Sequence, residues 1–145
     1  MSEELKAIVR RFGEEIWHKG NLDALEEFIG SHYTRHTDTN PTSGPARDLH
    51  GIESIRHIVS MQRTAFPDLH FTEEDLLADG DKVVLRWTFR GTHTGPLRGI
   101  APTGKQVTIT GINIYRLANG KIVERWANQD ALSLMQQIGA LPPLE

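Results

Sequence analysis

The chain reads as one α+β domain, with helices gathered in its first half and a curved, mostly antiparallel sheet after them. Three observations predict this class. Apolar residues recur at helical spacing up to about residue 66. From Leu69 onward the period changes to two. Asn119-Gly120, the residue pair that best fits a two-residue hairpin turn, then sits between two alternating runs. Helices segregated to one side of an antiparallel sheet form a two-layer domain, and strong curvature of such a sheet leaves a cone open at one end. A cone of this kind is a natural small-molecule pocket.

In chain order, Leu5, Ile8, Val9, Phe12 and Ile16 share one face of a first helix, which Gly20 stops. Asn21 is placed to cap a short second helix carrying Leu22, Leu25, Phe28 and Ile29. Tyr33 to Thr37 has strand propensity, and a loop rich in Pro, Gly and Ser follows from Asp38 to about His50. A third helix starts near Gly51, with Ile52, Ile55, Ile58, Val59 and Gln62 on one face. Pro67 ends it, since proline lacks the amide donor and clashes with the preceding turn. Leu69 to Ala78 is a strand, Asp79-Gly80-Asp81 a turn, and Val83, Leu85, Trp87 and Phe89 alternate with more polar neighbours on the next strand. A loop runs from Gly91 to Lys105, Val107 to Leu117 is a strand, and Ile122 to Asn128 is the last one. Asp130 opens a terminal helix bearing Ala131, Leu134, Met135 and Ile138, closed by Gly139. No linker or repeat interrupts residues 1–145, which are read as a single domain.

Composition excludes several functions. The 145 residues include no Cys, so disulfides, thiolate metal sites and a thiol nucleophile are ruled out. The net charge of -3 and the short basic runs argue against a nucleic-acid partner. No apolar run approaches the length of a membrane span. The acidic start, Ser2-Glu3-Glu4, is unlike a signal peptide, so a cytoplasmic protein is expected. Gly99 to Gln106 nearly spells a phosphate-binding loop, but it lacks the Ser or Thr for magnesium, contains Pro102 and leads into a strand. His32 and His36 are four apart in a segment that reads as strand, too far apart to share a metal. No metal and no organic cofactor is expected.

The residues that could carry chemistry each have a plainer reading. Trp126, Asn128 and Asp130 fall on one strand face, and a carboxylate buried beside an indole is raised toward a useful base. Asp before Ala-Leu-Ser-Leu is also a good helix N-cap. His36 can polarise a carbonyl or pair with Asp130, or be a surface histidine. Trp17, Trp87, Trp126, Tyr33, Phe89 and Tyr115 are candidate pocket walls or ordinary core. Asn113, between Ile112 and Ile114, needs hydrogen-bond partners wherever it is buried. Arg86 and Arg90 share a face read as solvated or dimer-facing. So few helices leave one sheet face uncovered. Val84, Ile109 or Ile112 on it would pair two copies into a homodimer or larger oligomer.

Several segments together resemble a known family. They are Phe12 to Leu25, Tyr33-x-x-His36, Ala65-Phe66-Pro67-Asp68, Arg86 to Gly95, Pro102-Thr103-Gly104-Lys105, Asn119 to Trp126, and Asp130-Ala131 with Gln136 to Gly139. They are similar to the SnoaL-like polyketide cyclase and ester cyclase group, over nearly the whole chain and in the same order. The resemblance implies the cone-shaped nuclear-transport-factor-2-like fold and a hydrophobic small-molecule substrate. It implies ring closure by cofactor-independent aldol chemistry, with Asp130 matching the family's acid/base through the Trp126-x-x-x-Asp130 spacing. On the residue readings above, His36 joins Asp130 as a catalytic candidate, and Tyr33, Trp17, Trp87, Asn113 and Trp126 are substrate-binding candidates. A fold does not fix a function. A non-catalytic carrier and an epoxide-hydrolase-like reaction using Asp130 with Arg86 stand as alternatives.

Overall fold

The computed structural model describes residues 2–36 and 48–142. Helix α1, Ser2–Phe12, presents Val9 and Phe12 to the core and places acids in its first turn and arginines in its last, matching the helix dipole. The helix then widens into a π-helical turn, Gly13–His18, closed by the bond from the Lys19 amide to the Glu14 carbonyl at 3.0 Å. π turns swing side chains off the regular helical face; here Trp17 and His18 are brought to the inner side. Gly20 ends the segment at φ +69°, where a Cβ would also lie 2.5 Å from the Arg63 side chain. That arginine donates to the carbonyls of Trp17 and His18 at 2.7 and 2.8 Å, satisfying the open end of the turn.

Asn21 differs from expectation. It makes no side-chain cap; its amide instead reaches Glu15, and the short helix begins as a 3₁₀ turn, Leu22–Ala24, before α2, Leu25–Phe28. Strand β1 starts earlier than read, at Ile29, and runs to His36. The predicted loop from Asp38 lies mostly outside the described residues, and its end, Asp48–His50, is strand β2. Helix α3, Ile52–Ala65, follows, with Ile55, Ile58 and Val59 buried. The four long strands are β3, His70–Asp79; β4, Lys82–Thr92; β5, Gln106–Ala118; and β6, Lys121–Gln129. Helix α4, Ala131–Gln137, closes the chain.

These strands form one sheet in the order β2-β1-β6-β5-β4-β3. All neighbours are antiparallel except β1 and β6, whose parallel pairing carries the chain from the first strand to the last. The sheet is curved and unclosed, with helices on its inner side. Two clusters fill the interior. Phe12, Phe28, Tyr33, Val59 and Tyr115 pack at one end. Phe66, Trp87, Phe89, Leu97 and Leu134 pack at the other. Alternation is strict on β5, where Val107, Ile109, Asn113, Tyr115 and Leu117 are buried. Ile109, expected on the outer face, therefore points inward, and Ile112 is the exposed residue, at 47%. No described helix is long and apolar enough to cross a membrane.

Candidate functional site

The inner face of the sheet does not pack solidly against the helices. A cavity of about 110 Å³ remains between them, with more apolar than polar wall. α1 and the π turn contribute Phe12, Trp17 and His18; β4 contributes Trp87 and Phe89; β5 contributes Asn113 and Tyr115. On β6, Arg125 and Ala127 face in, so alternation sends Glu124 and Trp126 to the outer face. A smaller recess shares Phe12, Trp17, Arg35 and Arg125 with the cavity and extends it toward Tyr33.

The polar groups in the wall form a directed chain. The Trp87 indole N–H, which can only donate, binds Asn113 Oδ1 at 3.2 Å. That fixes the amide's orientation, and Asn113 Nδ2 donates to the Tyr115 hydroxyl at 2.9 Å. The hydroxyl's own proton has no acceptor among the described residues, and Tyr115 lines the cavity. Trp87 can lie flat across the neighbouring strand because residue 111 is glycine. A Cβ there would be 2.2 Å from the indole ring. This Gly is one of the site residues that reading the sequence missed, with His18, Arg35 and Arg125. An isolated Gly amid Thr108-Ile109-Thr110 and Ile112-Asn113-Ile114 was the available signal, since glycine inside a strand marks a close approach.

His18, the cavity's inward histidine, is already engaged on both ring nitrogens. Its Nε2 accepts the Phe71 amide at 3.0 Å, so Nδ1 carries the proton and donates to Glu14, also at 3.0 Å. It holds the π turn to β3 and has no lone pair left for a substrate proton.

Three predicted residues fall elsewhere. Asp130 ends up at the N-cap of α4, its Oδ1 accepting the Ser133 amide at 3.0 Å. It is exposed and is not part of the cavity lining. Trp126 and Asn128 do share a face of β6, but its even-numbered side is the outer one, and Asp130 lies one residue past the strand's end. The expected burial of this carboxylate beside the indole is therefore corrected. His36 borders the cavity at the end of β1, yet its ring stacks on outer-facing Trp126 at 4.9 Å and its Nε2 bonds Glu124 at 2.9 Å. Glu124 also takes Arg116, and the two partners, His36 first, hold its carboxyl below the ordinary range. Trp126 is thus part of an outer-face cluster and not a pocket wall. Trp17, Trp87 and Asn113 do line the cavity, and Tyr33 lines the recess. Arg86 pairs with Asp75 at 2.6 Å on the exposed face, away from Asp130's role in the hydrolase alternative. Among the described residues, no group of three His, Asp or Glu is arranged to hold a metal ion.

The chain was compared with known proteins. The family model described as SnoaL-like polyketide cyclase matches residues 7–138. The aklanonic acid methyl ester cyclase of Streptomyces peucetius is 28% identical over 135 residues, covering 91% of this chain and 88% of that one. The corresponding cyclase of Streptomyces galilaeus is 25% identical over 140 residues, covering 96% and 92%. Among solved structures, a candidate SnoaL-like polyketide cyclase of a Jannaschia species superposes with a TM-score of 0.85 at 25% identity, covering 98% of this chain and 96% of that chain. A candidate polyketide cyclase of Acidithiobacillus ferrooxidans gives 0.78 at 30% identity, covering 93% and 94%.

Proposed function

Because the chain belongs to the SnoaL-like polyketide cyclase family, we propose that it closes a ring in a largely apolar polycarbonyl substrate by intramolecular aldol addition. The observation that carries this reading is the chain from Trp87 through Asn113 to the unclaimed Tyr115 proton, set in an aromatic cavity. A C–H between two carbonyls is lost as a proton, and the enolate carbon attacks a third carbonyl farther along the substrate. One C–C bond forms and the new alkoxide is reprotonated, so the product is an isomer of the substrate. Tyr115 Oη–H would donate to the enolate oxygen, strengthened by the amide and indole behind it.

The magnitudes favour templating over a dedicated base. Holding both carbonyl arms in an attack geometry is worth up to about 7–11 kcal/mol. One oriented oxyanion donor adds about 2.7–4 kcal/mol. A positioned base supplies about 10²–10⁴ in rate, and in this scheme the acidic C–H between two carbonyls gives up its proton to solvent instead. In this scheme Asp130 works as a helix cap. The scheme draws on no cofactor.

The test is incubation of the purified protein with aklanonic acid methyl ester, the compound in its relatives' names, and with acyclic diketones. Conversion to a ring-closed product of unchanged mass is expected, with Tyr115→Phe lowering kcat by about 10²–10³. A ligand retained but never converted would support the second reading, a carrier. That reading is favoured by one observation: among the described residues, no Asp or Glu lines the cavity. We further read the protein as a cytoplasmic homodimer paired through the outer sheet face, where Ile112 and half-buried Val84 lie. A monomer mass in light scattering at micromolar concentration removes the pairing.

A further inference from the structure

The recess beside the cavity has a composition that the ring-closing scheme leaves unused. Its walls are apolar, with Phe12, Trp17 and Ile58, but three polar side chains end in it: Tyr33, Arg35 and Arg125. Tyr33 is fully buried and its hydroxyl has no hydrogen-bond partner among the described residues. Buried hydroxyls are nearly always paired, so an orphan one aimed into a cavity asks for a ligand. Arg125 makes no hydrogen bond or ion pair among the described residues, and Arg35 is itself only 8% exposed. Alternation explains why they meet. β1 and β6 pair in parallel with Arg35 opposite Arg125, so both side chains point inward from adjacent strands. Glu124, the acid next in sequence, points outward to His36 and Arg116. Among the described residues, no Asp or Glu lines the recess or the cavity.

We propose that this recess binds a carboxylate carried by the apolar ligand, with Arg125 and the Tyr33 hydroxyl as its direct donors. A carboxylate is planar, singly charged and accepts from several donors at once, which suits a guanidinium fork beside a hydroxyl. The recess has room for about one water-sized oxygen, at about 10 Å³, where it borders the cavity, and has apolar walls. A phosphate dianion would need more donors and more room. The carboxylate anchors one end of the ligand while the rest lies along Trp87 and Phe89 toward the Tyr115 donor. The curated relatives carry a methyl ester in their names, whereas this recess selects the free acid. The inference rests on the proposed function only in sharing its cavity.

The probes are 2-naphthoate and methyl 2-naphthoate, titrated into the full-length protein by calorimetry at neutral pH. The acid is expected to bind about 10- to 100-fold more tightly than the ester, the worth of one or two charge-assisted hydrogen bonds. Arg125→Met should erase that preference while leaving ester affinity in place, and Tyr33→Phe should reduce it. Arg125→Lys, which keeps the charge but loses the fork, should retain part of it and serves if the Met variant folds poorly. Equal or better binding of the ester, no binding of the acid at millimolar concentration, or a preference that survives both Arg125→Met and Tyr33→Phe overturns the assignment. Selective binding of the acid without turnover of any polycarbonyl leaves this inference standing and removes the cyclase reading.

Discussion

Adding one methyl group at residue 111 tests how the cavity wall is built. Gly111 has ordinary strand geometry, so alanine there should gain about 0.5–1 kcal/mol from reduced chain entropy. The structure predicts the opposite sign. The new Cβ would lie 2.2 Å from Trp87 Cζ2 and 2.6 Å from Cη2, against a normal carbon contact of about 3.5–4.0 Å. The ring must retreat by more than about 1 Å. Its Nε1 bond to Asn113, at 3.2 Å, is already at the long end of the range and is lost. Overpacking costs about 1–3 kcal/mol and the orphaned buried amide about 1–3 more. After the entropic gain the net loss is about 1–5 kcal/mol, which lowers the urea midpoint by roughly 0.5–2.5 M for a slope of about 2 kcal/mol/M. Trp87→Phe in the same chain removes the clashing ring and should recover part of the loss, a coupling that a double-mutant cycle reads directly. A Gly111→Ala protein as stable as the parent, or no coupling to Trp87, refutes the packing argument and with it the preset orientation of Asn113 and Tyr115.

Three further outcomes are expected. Tyr33→Phe removes an unpartnered buried hydroxyl and should raise stability by about 1–3 kcal/mol, seen as a higher melting temperature; a lower one means the hydroxyl is paired in solution. Asp130→Asn keeps the cap, since Asn and Asp cap about equally well, so melting temperature and turnover should both stay near the parent. A turnover loss of about 10² or more with unchanged melting restores Asp130 as the acid/base. Glu124 has its carboxyl lowered by His36 and then by Arg116. Its contribution to stability is therefore complete above the ordinary value of about 4.3 and lost as pH falls through the folded value. Glu124→Gln should narrow the gap to the parent in urea midpoint as pH drops from 6 toward 3, and a constant gap argues against the pairing.

The sequence by itself determined the elements and their class. Periodicity is a local property, so the switch to alternation after Pro67 and the turn at Asn119-Gly120 placed β3 to β6 within a residue or two. It also supplied Trp17, Trp87 and Asn113 as cavity residues and Tyr33 near them. Which face of β6 looks inward was a different matter. Alternation groups Trp126, Asn128 and Asp130 together but assigns no direction to the group. Direction came from the parallel pairing with β1 and from the helices covering the opposite side. That pairing joins segments 88 residues apart at His36 and Glu124, and no local pattern encodes it. It turned Arg125 and Ala127 into the cavity and Asp130 out to cap α4. The arginine pair was missed for the same reason. Arg35 and Arg125 are ordinary strand residues in the sequence, and only two neighbouring strands in one register bring their guanidinium groups to the same recess.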